Sequence, residues 1–394
     1  MTKRTNSKAF LVILLGVLSA FGPFVVDLYL PALPQLSAYF QASTSLTQLS
    51  LTSAMFGLAA GQLLLGPISD KFGRKAPLLI SLFIYIISTI CLVFAGSMES
   101  FVFFRCVQGL SSAGSVVISR AVATDLYRGR EMARFFGLLM AINSIAPIIS
   151  PVLGGVLAQS FQWRGIFVFL ALLGVVVFAF CLNLKESLIV ERRLQTSIFA
   201  SFTVFRHIFK NKAFMAYVML MSFLLTAMFA YIAASPFILQ TGYGLSTLAY
   251  SLLFGVNGAA IAAGSGFAGK LSPHKALVIG IYGFAVSAAY TVFVLLTHAN
   301  VWLVELGFFT MLLFTGINLP PISALAMESE RRYAGSASAL LGFMPFFFGG
   351  IVSPLVGLGD IFISSSAAVT ATVILVLLTY GAAKHHAAGA MKND

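Results

Sequence analysis

Long apolar runs separated by short polar loops restrict this chain to one class of fold. The sequence is 59% hydrophobic and only 9% charged over 394 residues, whereas a soluble chain is typically about 25% charged. A membrane-spanning helix needs roughly 20 apolar residues, and inside hydrocarbon its backbone must form its own hydrogen bonds. The runs therefore predict an all-α membrane protein. The twelve predicted spans, numbered in chain order, cover residues 9–30, 46–67, 77–97, 100–122, 134–158, 164–184, 213–238, 246–269, 275–297, 301–326, 334–357 and 361–383.

The positions of the basic residues predict the orientation in the membrane. All but two of the 24 Lys and Arg residues fall on one side of this topology, the exceptions being Arg105 inside span 4 and Arg164 between spans 5 and 6. Positive residues collect in cytoplasmic loops. We therefore expect both termini to be cytoplasmic. Because the net charge of +12 is explained by these loops, we expect no nucleic-acid partner.

The longest polar stretch divides the chain into two halves. We predict an N-terminal six-helix bundle at 1–184, a cytoplasmic linker at 185–212 and a C-terminal six-helix bundle at 213–394. The halves resemble a repeat, because the Ser-Pro-x-x-Gly pattern at 150–154 recurs at 353–357. The three cysteines show no CxxC spacing, so we expect neither a disulfide nor a metal site.

The loop between spans 2 and 3 carries the most specific motif. Residues 66–78 read Gly-Pro-Ile-Ser-Asp-Lys-Phe-Gly-Arg-Lys-Ala-Pro-Leu. This pattern resembles the signature loop of the major facilitator superfamily. The resemblance implies two pseudo-symmetric six-helix bundles and a gate formed by Asp70, Gly73, Arg74 and Asp125. In that gate we expect Arg74 to pair with Asp125.

The same resemblance gives Asp70 a partner in the other half. It implies that Asp70 faces the start of span 11, near Ala334 and Gly335, where a helix N-terminus attracts an anion. The two contacts together would clamp the outward-open state. The alternative is that the bases of this loop only determine topology.

Two further motifs also resemble superfamily patterns. The stretch from Arg105 to Gly109 resembles the R-x-x-Q-G motif of span 4. The stretch at 146–155 resembles the span 5 signature of proton-driven antiporters, with Ser150 in place of its first glycine. Its antiporter residues are Pro147, Pro151, Gly154 and Gly155.

These motifs point to the drug:proton antiporter-1 branch, and the chain as a whole resembles its Bcr/CflA group. The resemblance implies export of varied, mostly hydrophobic drugs across the bacterial inner membrane, in exchange for protons. The chain has no phosphate-binding loop or hydrolase motif. We therefore expect no enzyme activity and no cofactor, with the proton gradient as the energy source. The expected partners are small-molecule drugs, protons and membrane lipid, and we expect a monomer.

Ionisable residues inside spans are costly and are functional by default. Asp27 in span 1 and Arg105 in span 4 lie at a similar depth, and we expect them to share one cavity. Asp27 would take up and release the proton, and Arg105 would adjust its charge state. The alternative is that Asp27 caps span 1 in the headgroup layer. For Glu305, near the outer end of span 10, we expect a place at the membrane interface.

The resemblance places spans 1, 4, 7 and 10 around the substrate. The candidate substrate-binding residues are Phe24, Tyr29, Phe104, Gln108, Phe229, Tyr231 and Asn318, with Asn257 a weaker addition. Two other functions stay open at this point. One is proton-coupled transport of one specific metabolite, such as a sugar or siderophore. The other is a membrane protein that transports nothing, such as a sensor or an intramembrane enzyme.

Overall fold

The computed structural model describes residues 6–127, 129–193, 203–330 and 334–390, and within these ranges it contains helices and no strand. Eleven of the described helical segments are long and apolar enough to cross a membrane. The helices are Lys8–Ser19 and Phe21–Asp27 (span 1), Leu33–Phe40, Thr44–Phe72 (span 2), Lys75–Val93 (span 3), Met98–Leu126 (span 4), Gly129–Leu182 (spans 5 and 6), Thr203–Ile208, Lys212–Pro236 (span 7), Thr247–Ala268 (span 8), Pro273–Leu296 (span 9), Val301–Ser329 (span 10), Ala334–Leu355 (span 11) and Ile361–Ala390 (span 12).

The segment Gly129–Leu182 contains two spans. A straight helix of 54 residues would be about 80 Å long, far more than the roughly 30 Å of a bilayer core. Gln162 has a φ of 58° and a ψ of −175°, which ends one helix and starts the next. Division at Gln162 brings the eleven segments to twelve spans, which confirms the predicted all-α membrane fold.

Span 1 is not the single helix that its apolar run predicts. The helix Phe21–Asp27 ends at the carboxylate, and a short 3-10 turn, Leu30–Ala32, follows it before Leu33–Phe40 begins. Pro31 and Pro34 lie in this region. Because proline has no amide hydrogen and clashes with the preceding turn, it disfavours a continuous helix here.

The two halves of the chain meet along two pairs of spans. Spans 1 to 6 pack mainly among themselves, as do spans 7 to 12, and the halves join where span 2 packs on span 11 and span 5 on span 8. We call the end of the molecule with residues 66–78 the loop face, and the opposite end the far face.

Hydrogen bonds between the halves close the far face. Four of them involve described residues in the far-face half of the molecule. They are Ser45 Oγ to Pro354 O (2.9 Å), Gln48 Nε2 to Ala233 O (2.9 Å), Thr52 Oγ1 to Gly350 O (2.9 Å) and Gln240 Nε2 to Pro31 O (3.1 Å). Span 11 comes so close to span 2 that a side-chain carbon at Gly357 would lie 2.7 Å from the Ser45 amide nitrogen.

The linker is described in part. Its first residues run to Arg193 and include the 3-10 helix Val190–Arg192, and Thr203–Ile208 precedes span 7. Residues 194–202 of the predicted linker lie outside the described ranges. The domain boundaries at 184 and 213 stay a prediction.

Candidate functional site

A cavity of about 420 Å³ lies between the two halves. Its walls come from spans 1, 2, 4 and 5 of the first half and from spans 7, 8, 10 and 11 of the second. Spans 1, 4, 7 and 10 thus surround it as predicted, with four further spans between them. The volume is in the range of sites for drug-sized ligands, which bury most of their surface against apolar walls.

Asp27 lies on this wall at the end of the helix Phe21–Asp27, with only 6% of its surface exposed. The alternative of a cap in the headgroup layer is therefore wrong. The ion pairs formed by the described residues do not include Asp27. An ionised carboxylate without a partner is costly in apolar surroundings. The position therefore suits a group that binds a proton or a polar part of a ligand.

Arg105 lies behind the wall and does not line the cavity. It is fully buried, and it donates to the carbonyl oxygens of Val25 (2.8 Å) and Ser50 (3.4 Å) and to Gln108 Oε1 (2.6 Å). Its guanidinium carbon is 4.0 Å from the centre of the Tyr29 ring. The prediction that Arg105 and Asp27 share one cavity is wrong. Because span 1 breaks after Asp27, the last carbonyl groups of its helix lack intrahelical donors, and the guanidinium, with five donors, binds there instead.

Two of the predicted substrate-binding residues, Phe229 and Tyr231, line the cavity. The other predicted residues do not, because their side chains are committed to packing or hydrogen bonds elsewhere. Those residues are Tyr29, bonded to Ser50 (3.1 Å); Gln108, bonded to Arg105 and Thr89; Asn318, which donates to the Phe314 carbonyl (2.8 Å); and Phe24 and Phe104, which are partly buried and pack against the apolar core.

Glu305 is buried in the second half, with 7% of its surface exposed, so the predicted interfacial place is wrong. Its Oε1 accepts a hydrogen bond from Asn257 Nδ2 (2.8 Å), and the same amide group donates to the Tyr231 hydroxyl (3.0 Å). Glu305 Oε2 has no hydrogen-bond partner in the described part of the chain. The spacing of these residues in the sequence does not reveal the network, since its members come from three different spans.

The glycine and proline motif of span 5 lies where both halves approach Asp27. A side-chain carbon at Gly154 would overlap the carbonyl oxygen of Leu28, the residue after Asp27, and one at Gly155 would overlap Ser251 Oγ of span 8. Pro147 lines the cavity, and Pro151 lies inside the same helix. The motif therefore permits close contact of span 5 with the break in span 1 and with the other half.

The predicted ion pair of the gate loop is present. Arg74 Nε lies 2.9 Å from Asp125 Oδ2, and Arg74 Nη1 lies 2.5 Å from Asp70 Oδ1. Burial lowers the pKa of Arg74, but hydrogen bonds and charges from Asp125 and Asp70 more than offset this and raise the pKa above its ordinary value. The loop therefore holds a permanent cation between two carboxylates.

Asp70 contacts Arg74 in this conformation, and its side chain is 53% exposed. The surroundings of Ala334 and Gly335, its predicted neighbours, are outside what the structure describes. The clamp between the halves stays a prediction. The observed conformation is closed at the far face, whereas the predicted clamp belongs to the opposite state.

Sequence reasoning missed a third carboxylate at this loop, Glu186 of the linker. Its oxygens accept hydrogen bonds from the backbone amides of Arg74 (2.8 Å) and Lys75 (3.1 Å) at the start of span 3. Gly73 has a φ of 91° and approaches Glu186 so closely that a side-chain carbon would lie 2.6 Å from Oε2. The free amides at a helix N-terminus attract acids, and that rule was the available signal for Glu186.

Arg120 is the second residue whose place the sequence did not predict. Its position near the loop-face end of span 4 groups it with the basic loops, but it lies on the wall of the cavity. Among the described residues that line it, the cavity thus has one carboxylate, Asp27, and one cation, Arg120.

The comparisons with known proteins agree with this architecture. The family model described as Major Facilitator Superfamily matches residues 12–354. The uncharacterized MFS-type transporter YdgK of Bacillus subtilis is 37% identical over 357 residues, covering 89% of this chain and 89% of the relative. A bicyclomycin resistance protein homolog of Haemophilus influenzae is 28% identical, covering 89% of each chain. A chloramphenicol resistance protein of Pseudomonas aeruginosa is 27% identical, covering 89% of this chain and 83% of the relative.

Solved structures share the fold at low sequence identity. A bacterial homolog of the human lysosomal transporter Spinster, in an inward-facing and occupied conformation, aligns with a TM-score of 0.75 and 14% identity, covering 96% of this chain and 97% of that chain. The family match over most of the sequence, together with the twelve spans and the central cavity, shows that the chain belongs to the major facilitator superfamily.

Proposed function

We propose that this protein is a proton-coupled antiporter that exports varied, mostly hydrophobic drugs across the bacterial inner membrane. The observation that carries the proposal is the cavity between the two halves, which is largely apolar and has the carboxylate of Asp27 on its wall. Relatives named for resistance to bicyclomycin and to chloramphenicol support drug export over transport of one specific metabolite. Membership in a transporter family supports a role other than catalysis.

Alternating access describes the movement that this proposal needs. The bundles at 1–184 and 213–394 rock about the central cavity, as in other transporters built from repeats. The observed conformation is closed at the far face, and the cavity wall extends to Gln62 and Gly342 in the loop-face halves of spans 2 and 11. With the basic loops in the cytoplasm, this conformation receives the drug from inside the cell.

Competition for Asp27 is the proposed means of coupling. An ionised carboxylate in a closed apolar cavity is unfavourable unless a proton or a polar ligand group compensates it. In the state open to the outside, a proton replaces the drug at Asp27. In the state open to the cytoplasm, a drug enters as the proton leaves. Each cycle then moves a drug outward and a proton inward.

The test is drug-driven proton efflux in everted membrane vesicles that carry the protein. Respiration acidifies the vesicle interior, and a pH-sensitive dye reports protons that leave when chloramphenicol or bicyclomycin is added. We expect a response with the wild-type protein and none with Asp27→Asn. Asp360→Asn is the matched control. Asp360 is exposed, and its Oδ1 caps span 12 by accepting hydrogen bonds from the backbone amides of Phe362 and Ile363. The side-chain oxygen of asparagine can accept the same two hydrogen bonds. An undiminished response in Asp27→Asn contradicts the proposal.

A further inference from the structure

Two opposite charges on the cavity wall form no ion pair with any residue that the structure describes. Asp27 is on span 1 and Arg120 on span 4, and both line the cavity. The ion pairs among the described residues involve other side chains. Arg120 is exposed, and Val116, one turn before it on the same face of span 4, also lines the cavity. The guanidinium is therefore available to a ligand.

The distance between the two charges follows from where spans 1 and 4 cross. A side-chain carbon at Gly22 would lie 3.6 Å from Val116 Cγ2, so these two residues mark a common depth. Asp27 lies five residues beyond Gly22 toward the far face, and Arg120 lies four residues beyond Val116 toward the loop face. At 1.5 Å per helical residue, the two backbone positions are about 13 Å apart along the bundle. The two residues therefore line the cavity at different depths, Asp27 toward the far face and Arg120 toward the loop face.

The wall of the cavity is mostly apolar, with Ser19 and Gln62 as polar exceptions on spans 1 and 2. It includes Val26, Leu58, Val116, Phe229, Ile232 and Phe346. At Asp27, which is buried, an opposite charge is attracted more strongly than it would be in water. A ligand with an apolar middle and one charge at each end would compensate both groups at once.

We propose that the cavity selects elongated zwitterions, with a protonated amine bound at Asp27 and a carboxylate or similar anionic group bound at Arg120. This inference rests on the proposed drug export and names the substrate class of that same site. It also fits the proposed coupling, since the amine takes the place of the proton at Asp27. A lipophilic cation alone leaves Arg120 uncompensated, and an amphiphilic anion alone leaves Asp27 without a cation.

A set of three related probes separates these cases. The first is 4′-(aminomethyl)biphenyl-4-carboxylate, a rigid rod with an amine at one end and an acid at the other. The second is its methyl ester, which keeps only the amine charge, and the third is its N-acetyl derivative, which keeps only the acid charge. Binding is measured by equilibrium dialysis against the full-length protein in lipid nanodiscs, with empty nanodiscs subtracted.

The variants assign each charge of the probe to a residue. We expect the wild-type protein to bind the zwitterion about tenfold or more tightly than the ester, which corresponds to one compensated charge pair. Arg120→Gln should abolish this preference, and binding of the ester, which has no anionic group for Arg120, shows that the variant is folded. Arg120→Lys should keep most of the preference for the zwitterion over the ester, because lysine keeps the positive charge. Lys275→Gln, which removes an exposed charge at the start of span 9, should bind all three probes like the wild type.

Asp27→Asn provides the complementary test. It should abolish the preference for the zwitterion over the N-acetyl derivative. Equal binding of zwitterion and ester by the wild type, absence of zwitterion binding, or a preference that survives in Arg120→Gln would overturn the inference. The vesicle assay of proton exchange decides the proposed function separately, because it uses neutral antibiotics and reports on Asp27.

Discussion

The carbonyl oxygen of Leu28 occupies the space where a side-chain carbon at Gly154 would stand. The break in span 1 and the glycine motif of span 5 are therefore in direct backbone contact. Because Leu28 follows Asp27 in the chain, this contact fixes the position of the carboxylate on the cavity wall.

Gly154→Ala should impair both stability and transport, because a methyl group cannot fit against a backbone carbonyl without moving span 1. Overpacking of this kind typically costs about 1–3 kcal/mol. Thermal unfolding and drug-driven proton exchange measure the two effects. Gly266→Ala is the matched control, since no other described part of the chain, apart from its own helix, comes within 4 Å of its added carbon. A loss as large in Gly266→Ala would show that the Leu28 contact is not the cause.

Asp125→Asn should destabilise the protein more than Asp70→Asn, although both carboxylates pair with Arg74. The Asp125 side chain is 14% exposed and the Asp70 side chain 53% exposed. An exposed ion pair contributes about 0–1 kcal/mol to stability, whereas breaking a buried pair costs about 3–5 kcal/mol. The second cost is smaller here, because Arg74 keeps Asp70 as a partner. Melting temperatures of the two variants give the order, and the reverse order contradicts this account of the loop.

Glu186→Ala should release the start of the linker from the loop. The substitution removes the acceptor of the Arg74 and Lys75 amides, and an acid at an exposed helix N-terminus is worth about 0.3–1 kcal/mol. Limited trypsin digestion of the protein in nanodiscs should cleave after Arg193, which lies beside Gly73 at the same contact, faster than in the wild type. Glu191→Ala is the control, because Glu191 is exposed and the two amides keep their acceptor; equal acceleration in both variants would count against the contact.

Asn257→Leu should cost more stability than Glu305→Gln. Leucine leaves both the Tyr231 hydroxyl and Glu305 Oε1 without their donor, and each unsatisfied buried group costs about 1–3 kcal/mol. Glutamine at 305 keeps an acceptor for Asn257. Thermal unfolding of the two variants, each compared with the wild type, tests the network. A smaller loss of stability in Asn257→Leu than in Glu305→Gln would show that the Asn257 amide does not hold the network together.

The sequence predicted the parts of this molecule that depend on the order of residues along the chain. The apolar runs predicted the spans, and the loop motif predicted the pair of Arg74 with Asp125. The two prolines after Asp27 were also a usable signal for the break in span 1, because each disfavours a continuous helix.

The sequence could not predict which way side chains point around the spans. A helix that is apolar on all sides gives no pattern by which to tell its cavity face from its packed face. For this reason Arg105, predicted on the cavity, lies behind its wall, whereas Arg120, grouped with the loops, lies on it. For the same reason the sequence did not predict that Glu305 is buried. Its hydrogen-bond partner Asn257 lies on another span, so no local pattern links the two residues.

The account depends most on a proton and a drug competing for one carboxylate. The most direct measurement is the number of protons released when chloramphenicol binds to the purified protein in weakly buffered solution. We expect the wild-type protein to release protons on binding, and Asp27→Asn to bind the drug without release, while Asp360→Asn behaves like the wild type. Equal proton release by Asp27→Asn and the wild type would contradict the account.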